Sequence, residues 1–432
     1  MIPLRRMAGP LEESPFRLLW LARASSDVGN ALLPVALAFA VLELTGSASD
    51  LGLVLAAALI PRVALLLVGG VWADRLPRQR LMLACDLVRA ASQGALAVLF
   101  IAGVAELWHM VVGAAVYGVA QAFFGPASTA IVPQTVSPER LQPANALISL
   151  TRSSLLVAGP ALGGLLIVAF GPGWVFAVDS FTFVVSAACL ALLRLPRQAG
   201  RRAQSFAAEL ASGWREVTSR SWVWASILFF SLWNLAIAPF YVLGPLVAER
   251  ELGGASDWGI VLAGSGIGAI AGGATALRLR PRRPLLVAFV LSLLTALEPA
   301  ALIPPLPALG IAGATVLGVT ALTIANTLWL TALQENIPSA VLSRVSAYEL
   351  MVSSVLMPLG YVLAGPLADS LGLDATLALA SALIVAASVG VVLVPGVRRL
   401  TRKAGSAPTG PPEIPPSAMP PPAEPRPAST PL

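Results

Sequence analysis

Apolar segments of about 20 residues recur along this chain between Phe16 and Val394, and short polar turns separate them. A helix needs about 20 apolar residues to cross the hydrocarbon core of a bilayer, so each segment is long enough to span it. The chain has 432 residues, of which 57% are hydrophobic and 12% charged. A soluble domain carries roughly twice that share of charge. The sequence therefore predicts an all-α membrane protein.

Twelve such segments can be placed, and they fall into two groups of six. The predicted spans are 16–44, 50–73, 81–103, 108–132, 144–170, 174–195, 222–247, 257–277, 285–303, 309–332, 341–368 and 375–394. The corresponding domains are an N-terminal half (1–195), a linker (196–221), a C-terminal half (222–403) and a tail (404–432).

Charges in the loops predict the orientation. The basic loops precede the first span, follow the even-numbered spans and follow the last one, whereas the opposite loops are mainly acidic. Arginine and lysine accumulate in cytoplasmic loops, so we expect both termini in the cytoplasm of a cell whose plasma membrane holds the protein. The net charge of +6 is explained by these loops and does not indicate a nucleic-acid partner.

An internal repeat supports the division into halves. The segment ASDLGLVLA at 48–56 opens the second span, and ASDWGIVLA at 255–263 opens the eighth. Each segment leads through an apolar span to an arginine-rich loop. Two similar sets of six spans in the same orientation predict a pseudo-symmetric pair of six-helix halves.

The linker and the tail have different compositions. In the linker, Phe206, Leu210, Trp214 and Val217 recur at helical spacing among arginines, which predicts an amphipathic helix on the membrane surface. The tail is rich in proline, alanine and serine, a composition typical of disordered segments.

Charged residues inside the spans are the first candidates for function, because a charge at mid-bilayer costs at least about 3 kcal/mol. Asp27 lies about 18 Å into the first span at 1.5 Å per residue, and Arg62 lies about as deep in the second. We expect the two to form an ion pair or a shared proton site, or else a structural pair without a role in transport. Arg23 is one turn from Asp27 and competes for it.

Other polar residues extend this set. A carboxyl group in an apolar cavity favours its neutral form, which suits a proton carrier. The further candidates for proton coupling or the substrate cavity are Arg152, Asp179, Glu298, Asn30 and Gln121. Glu349 and the pair Asp86 and Arg89 lie nearer the cytoplasmic helix ends, so we predict that they belong to a gate or to structural bridges.

The loop after the second span carries a motif. It reads GVWADRLPRQR, with Gly70, Asp74, Arg75, Arg78 and Arg80 at fixed spacing. This pattern resembles the loop between helices 2 and 3 of the major facilitator superfamily of transporters. The resemblance implies a latch on the cytoplasmic side, in which the aspartate bridges to basic residues and to the start of helix 11. The corresponding second-half loop, at 278–283, lacks the aspartate, so the latch would be asymmetric.

A second motif lies in the fifth span, where Gly159, Pro160, Gly163 and Gly164 belong to the sequence GPALGG. It resembles the helix-5 signature of antiporters in the same superfamily, although the glycines expected upstream are replaced. The runs FFGPASTAIVPQTV and LQPANAL and the region of LSRVSA and PLGYVLAGPLA resemble the branch of macrolide, multidrug and enterobactin exporters. The resemblance covers 16–394 and implies proton-driven export.

The sequence offers little for catalysis. A phosphate-binding loop needs lysine, and the only lysine is Lys403. Metal-dependent hydrolases and serine triads need histidine, and the only histidine is His109. We therefore expect no enzyme, no catalytic residue, no metal and no cofactor.

The expected function is efflux of hydrophobic or amphipathic small molecules, of drug, macrolide or siderophore type, by a monomer that exchanges them for protons. An importer on the same fold and a lipid or lysolipid flippase remain alternatives. A non-transporting scaffold is the alternative from another class, and the deep charges at Asp27 and Arg62 argue against it.

Overall fold

The computed structural model describes residues 9–195 and 217–402, without the side chains of 66–75, 339, 340, 343, 344 and 347. The predicted linker helix up to residue 216 and the predicted disordered tail lie outside the described residues. The described chain is almost entirely helical.

Six long helices form the first half. They are α1 (Ser14–Thr45), α2 (Ala48–Arg75), α3 (Arg78–Ile101), α4 (Leu107–Ala130), α5 (Leu141–Phe170) and α6 (Pro172–Leu192). Helix α2 runs two residues beyond the predicted end, so only Leu76 and Pro77 separate it from α3. Most of the predicted basic turn is therefore helical.

The second half repeats this series and ends in a short helix. It contains α7 (Ser221–Glu251), α8 (Ala255–Ala276), α9 (Pro284–Leu291, Ser292–Ala296 and Leu297–Ala300), α10 (Ala308–Asn336), α11 (Ser339–Ser354 and Met357–Leu371), α12 (Leu373–Leu393) and α13 (Pro395–Arg399). Among the described residues, eleven helices are long and apolar enough to cross a membrane. The remaining predicted span, the ninth in chain order, corresponds to α9, whose apolar part, Pro284–Ala300, is shorter than those of the other eleven.

Prolines explain why α9 and α11 are not continuous. Pro299 has no N–H for the carbonyl of Thr295, and the turn before it, Ser292–Ala296, has the tighter 3-10 form. Pro358 stands in the first turn of the second part of α11 and cannot donate to Ser354, where the first part ends. A single apolar run in the sequence thus becomes a helix with a break.

The two halves pack by the same pattern. In the first, α1 packs against α5 and α6, α4 against α2 and α3, and α3 against α6. In the second, α7 packs against α11 and α12, α10 against α8 and α9, and α9 against α12. Each of these pairs corresponds to its counterpart six helices later, which agrees with the repeat in the sequence.

Two seams join the halves, α2 against α11 and α5 against α8. Both use glycine at equivalent positions of the repeat. Gly52 in α2 contacts the backbone of Tyr361, and Gly259 in α8 lies against the backbone of Pro160, where an added Cβ would stand 2.6 Å from the carbonyl oxygen. A side chain at either position would force the helices apart.

The partner helices carry a matching pair of glycines. In α5, Gly159 faces α1 and Gly164 faces the start of α8. In α11, Gly360 faces α7 and Gly365 contacts Ser49 at the start of α2. Two residues five positions apart point in directions about 140° apart at 3.6 residues per turn. One glycine of each pair therefore contacts a helix of its own half, and the other contacts a helix of the opposite half.

The glycine contacts named above lie toward one end of the bundle, which we call the closed end, marked by the turns at 46–47, 171, 252–254 and 372. The α5–α8 seam continues from there to Gly266, which lies against the backbone of Leu156. At the closed end, Ser49 also donates a hydrogen bond of 3.4 Å to Asp369. The described seam contacts thus close the interface between the halves at the end where the odd-numbered helices finish.

Candidate functional site

A cavity of about 460 Å³ lies between the halves, next to the seams. Helices α1, α2, α3, α4 and α6 contribute to it from the first half, and α7, α8 and α11 from the second. Its apolar wall consists mainly of leucines together with Met110, Phe176, Trp258 and Met357. A space of this size, apolar and shared by two halves, suits a small organic molecule.

Arg62 is the only charged residue among the described residues that line this cavity. It is exposed rather than buried, and none of the described ion pairs includes it. It lies 14 residues beyond the start of α2, or about 21 Å along the helix. The guanidinium is therefore a deep cation in the cavity wall without a carboxylate partner among the described residues.

The other polar lining groups are neutral. Tyr117 donates a hydrogen bond to the side-chain oxygen of Asn30, which joins α4 to α1. Gln93 and Gln121 also line the cavity, as do Tyr241 and Tyr361 from the second half. The wall thus offers hydroxyl and amide groups around an apolar volume.

Asp86 and Arg89 form a buried ion pair on α3, one turn apart. Both are 0% exposed. Asp86 also accepts a hydrogen bond of 2.6 Å from Ser186, and Arg89 donates one of 3.1 Å to Gln121. The Arg89 guanidinium stacks on the rings of Phe124 and Phe183, at 4.2 and 4.3 Å.

For Asp86 and Arg89 we predicted part of a gate or a structural bridge near the cytoplasmic helix ends. Helix α3 packs against α4 and α6, which places the pair inside the first half. Through Gln121 the pair reaches the cavity wall. The Nε of Arg89 has no hydrogen-bond partner among the described residues. A buried pair within one half supports the packing of that half rather than a contact between halves.

Asp179 on α6 is also buried in the first half. Its Oδ2 accepts a hydrogen bond of 2.8 Å from Gln93, and Oδ1 has no partner among the described residues. Gly29 of α1 lies directly against this carboxylate, so a side chain at that position would displace it. Gln93 links Asp179 to the cavity.

Asp27 lies near Arg23, which was expected to compete for it, and near Arg152, which the sequence did not predict as its partner. The charges that act on it are chiefly those of Arg23, on the same helix, and Arg152, on α5. No ion pair within the described residues joins Asp27 to Arg62. The reason is the packing, because α1 has α5 and α6 as its main neighbours, whereas α2 packs against α4 and α11.

Two carboxylates belong to the second half. Glu298 on α9 is 1% exposed, contacts Gly318 of α10, and has no hydrogen-bond partner among the described residues for either oxygen. Glu349 is partly buried on the first part of α11. Neither residue lines the described cavity.

The described part of the loop motif makes contacts within the first half. Arg78 donates a hydrogen bond of 2.7 Å to the carbonyl of Ala130, at the end of α4. Gln79 donates to the carbonyls of Leu190 and Leu193, at the end of α6. Arg80 is exposed. The surroundings of Gly70 and the side chains of Asp74 and Arg75 lie outside the described part of the structure.

Sequence reasoning missed most of the aromatic and neutral lining residues. Three of the four tyrosines of the chain, Tyr117, Tyr241 and Tyr361, line the cavity. Gln93 and Trp258 were missed as well. Their position in the sequence could have identified the polar ones, because a polar side chain in the middle of an apolar span needs a hydrogen-bond partner or a cavity.

Comparisons with known proteins agree with this architecture. The chain is 28% identical over 406 residues to the multidrug efflux pump Tap of Mycolicibacterium fortuitum, which covers 90% of this chain and 98% of that protein. It is 23% identical over 403 residues to macrolide efflux protein A of Streptococcus pyogenes, with the same coverage of 90% and 98%.

Solved structures show the same fold. A bacterial homologue of the human lysosomal transporter Spinster matches with a TM-score of 0.67 at 16% identity, over 89% of this chain and 97% of that one. The nucleoside transporter NupG matches with a TM-score of 0.68 at 13% identity, over 87% and 98%. A family model described as transmembrane secretion effector matches residues 6–411. The chain therefore belongs to the transmembrane secretion effector family of the major facilitator superfamily of transporters.

Proposed function

We propose that this protein exports hydrophobic or amphipathic small molecules in exchange for protons, by alternating access, as a monomer in the plasma membrane with both termini in the cytoplasm. The observation that carries the proposal is the apolar cavity between two equivalent halves, beside two equivalent seams. A substrate in that cavity contacts both halves, so a rotation of one half against the other would change its access.

The construction of the seams suits such a rotation. At Gly52, Gly164, Gly259 and Gly365 the helices meet at their backbones, because glycine has no side chain to interlock. Contacts of this kind can part and form again without the withdrawal of buried side chains from the opposite half. Because the α2–α11 and α5–α8 seams are related by the repeat, they would open together.

Asp27 is the proposed proton carrier. Its carboxylate lies on α1 and interacts with Arg152 on α5, and α5 also forms one seam with the second half. Protonation would remove the attraction between Asp27 and Arg152, and this would change the position of α5 at the seam. Asp179 and Glu298 are the second candidates, because each has a buried oxygen without a described partner.

The direction of transport is proposed from the relatives. Tap is named a multidrug efflux pump and the streptococcal protein a macrolide efflux protein, and both align over nearly their whole length. Export of drug-like compounds is therefore the function that fits both the family and the apolar cavity.

The test is accumulation of fluorescent amphipathic compounds in cells that lack their own efflux pumps. We expect lower accumulation with the protein than without it, and a protonophore should restore accumulation. Higher accumulation with the protein would indicate import, and no change would favour the scaffold.

The test of coupling is Asp27→Asn, which keeps the shape of the side chain and removes its charge. This variant should lose protonophore-sensitive export while its amount in the membrane stays the same. Asp374→Asn is the matched control, because Asp374 is exposed in the first turn of α12 and does not line the cavity. Export retained by the Asp27 variant would reject Asp27 as the carrier.

A further inference from the structure

We propose that Arg62 makes the cavity selective for amphipathic organic anions, with neutral amphipaths second and lipophilic cations excluded. This inference rests on the proposed function and names the substrate class of the same cavity. It follows from the charge of the described wall, in which Arg62 is the only ionised group and no carboxylate lines the space.

The depth of Arg62 is the first argument. A charge far from the bilayer surface is costly unless it has a partner or water. Arg62 stands about 21 Å along α2 and has no ion-pair partner among the described residues. A bound carboxylate, phosphate or sulfonate would supply the missing partner through charge-assisted hydrogen bonds, and the planar guanidinium can form two of them.

The surroundings of Arg62 are the second argument. Tyr117 and Tyr361 line the cavity together with Arg62, and the charge of Arg62 acts on both of them. Neither tyrosine carries a negative charge that would neutralise the arginine at neutral pH. The polar part of the cavity is therefore a cationic group among neutral hydroxyl and amide groups.

The carboxylates behind the cavity wall do not reverse this charge. Asp27 lies one turn from Asn30, which lines the cavity, and the strongest charges on Asp27 are the cations of Arg23 and Arg152. These three residues together carry a net charge of +1, to which Arg62 adds another. Asp179 does not line the cavity and accepts a hydrogen bond from Gln93; its charge acts on Tyr117, where the charges of Arg89 and Arg62 oppose it.

The apolar wall accounts for the other part of the substrate. Leucines of α1 and α2, with Phe176 and Trp258, surround the volume beside Arg62. A ligand with one acidic group and an apolar body can place the acid on Arg62 and bury the body against these side chains. A lipophilic cation would meet the guanidinium with a like charge in an apolar space, where the repulsion is strong.

The experiment measures equilibrium binding to the purified protein in nanodiscs, without a proton gradient. Three probes share one fluorophore and differ in charge: dansylglycine is an anion, dansylamide is neutral and dansylcadaverine is a cation. We expect dansylglycine to bind most tightly and dansylcadaverine least. Arg62→Gln should weaken binding of dansylglycine roughly tenfold or more, the scale of one lost charge-assisted hydrogen bond, and leave dansylamide unchanged.

Two further variants make the result specific. Arg62→Lys keeps the charge and should retain the preference for the anion. Arg280→Gln removes the same charge from an exposed position in the loop after α8 and should change nothing. Because Arg62 is exposed and unpaired among the described residues, its replacement is not expected to prevent folding.

The inference is overturned if the three probes bind equally to the wild type, if Arg62→Gln weakens all three alike, or if dansylglycine does not bind. None of these results bears on proton coupling, which the efflux assay with Asp27→Asn measures separately. If the protein exports amphipathic compounds of every charge equally well, the proposed function stands and the proposed substrate class is refuted.

Discussion

Gly164 offers a direct test of the seam between α5 and α8. In the closed arrangement, a Cβ at this position would overlap the carbonyl oxygen of Ala255 and lie 3.0 Å from its carbonyl carbon and 3.1 Å from the Cα of Ser256. Carbon atoms attract one another best at about 3.5–4.0 Å, so Gly164→Ala must move the helices apart by about 0.5 Å or more.

The cost of this displacement can be estimated. Overpacking by a methyl group typically costs about 1–3 kcal/mol. Because the clash exists only while the seam is closed, the substitution should shift the equilibrium toward the open seam by roughly 5- to 150-fold. The helical preference of alanine over glycine, about 1 kcal/mol, applies in both arrangements and does not contribute to the shift.

The assay is electron–electron double resonance between spin labels at Phe170 and Glu251, in a background where Cys85 and Cys189 are replaced. Both labelled positions are exposed, and they lie on opposite sides of the seam at the closed end. Gly164→Ala should increase the longer distances between the labels at the expense of the shorter ones.

Gly273→Ala is the matched control, because a Cβ at that position of α8 meets open space. The control should reproduce the wild-type distances. If Gly164→Ala also reproduces them, the backbone contact at Gly164 does not hold the seam closed, and the argument from glycine packing is wrong.

Two further predictions concern the first half. Asp86→Asn leaves Arg89 buried without its ion-pair partner and should cost about 3–5 kcal/mol of stability, measured as a large fall in melting temperature in detergent. Replacing both residues with apolar ones should recover part of the lost stability. An unchanged melting temperature in Asp86→Asn would contradict the buried pair. In Gly118→Ala, the added methyl group of α4 would overlap a backbone carbonyl of α2, and the melting temperature should fall by the equivalent of about 1–3 kcal/mol. Gly125→Ala is the control, because a methyl group there meets open space on the same helix and should not lower the melting temperature. Equal melting temperatures would show that the α2–α4 contact tolerates a methyl group.

Much of the architecture could be predicted from local composition. The apolar runs located the spans within a few residues, and the repeat at 48–56 and 255–263 identified the two halves. The breaks in α9 and α11 were missed, since their prolines lie inside continuous apolar runs and hydropathy does not register a missing N–H.

The functional residues were harder to predict. The motif GPALGG was recognised, but its echo in α11, from Gly360 to Gly365, was not, because the two share only their end glycines and one leucine. The structure shows that the shared end glycines make equivalent contacts. Glycines that form helix contacts are hard to distinguish from other glycines in a sequence, although they decide how closely two backbones approach.

The sequence by itself determined that this chain spans a membrane repeatedly, in two similar halves, with a few charges deep in its helices. Only the tertiary structure decided which groups those charges meet. Asp27 and Arg62 lie at similar depth in the sequence prediction, yet α1 packs mainly against α5 and α6, whereas α2 packs mainly against α4 and α11. The partner of a buried charge depends on which helices are neighbours, and packing between distant parts of the chain sets that arrangement.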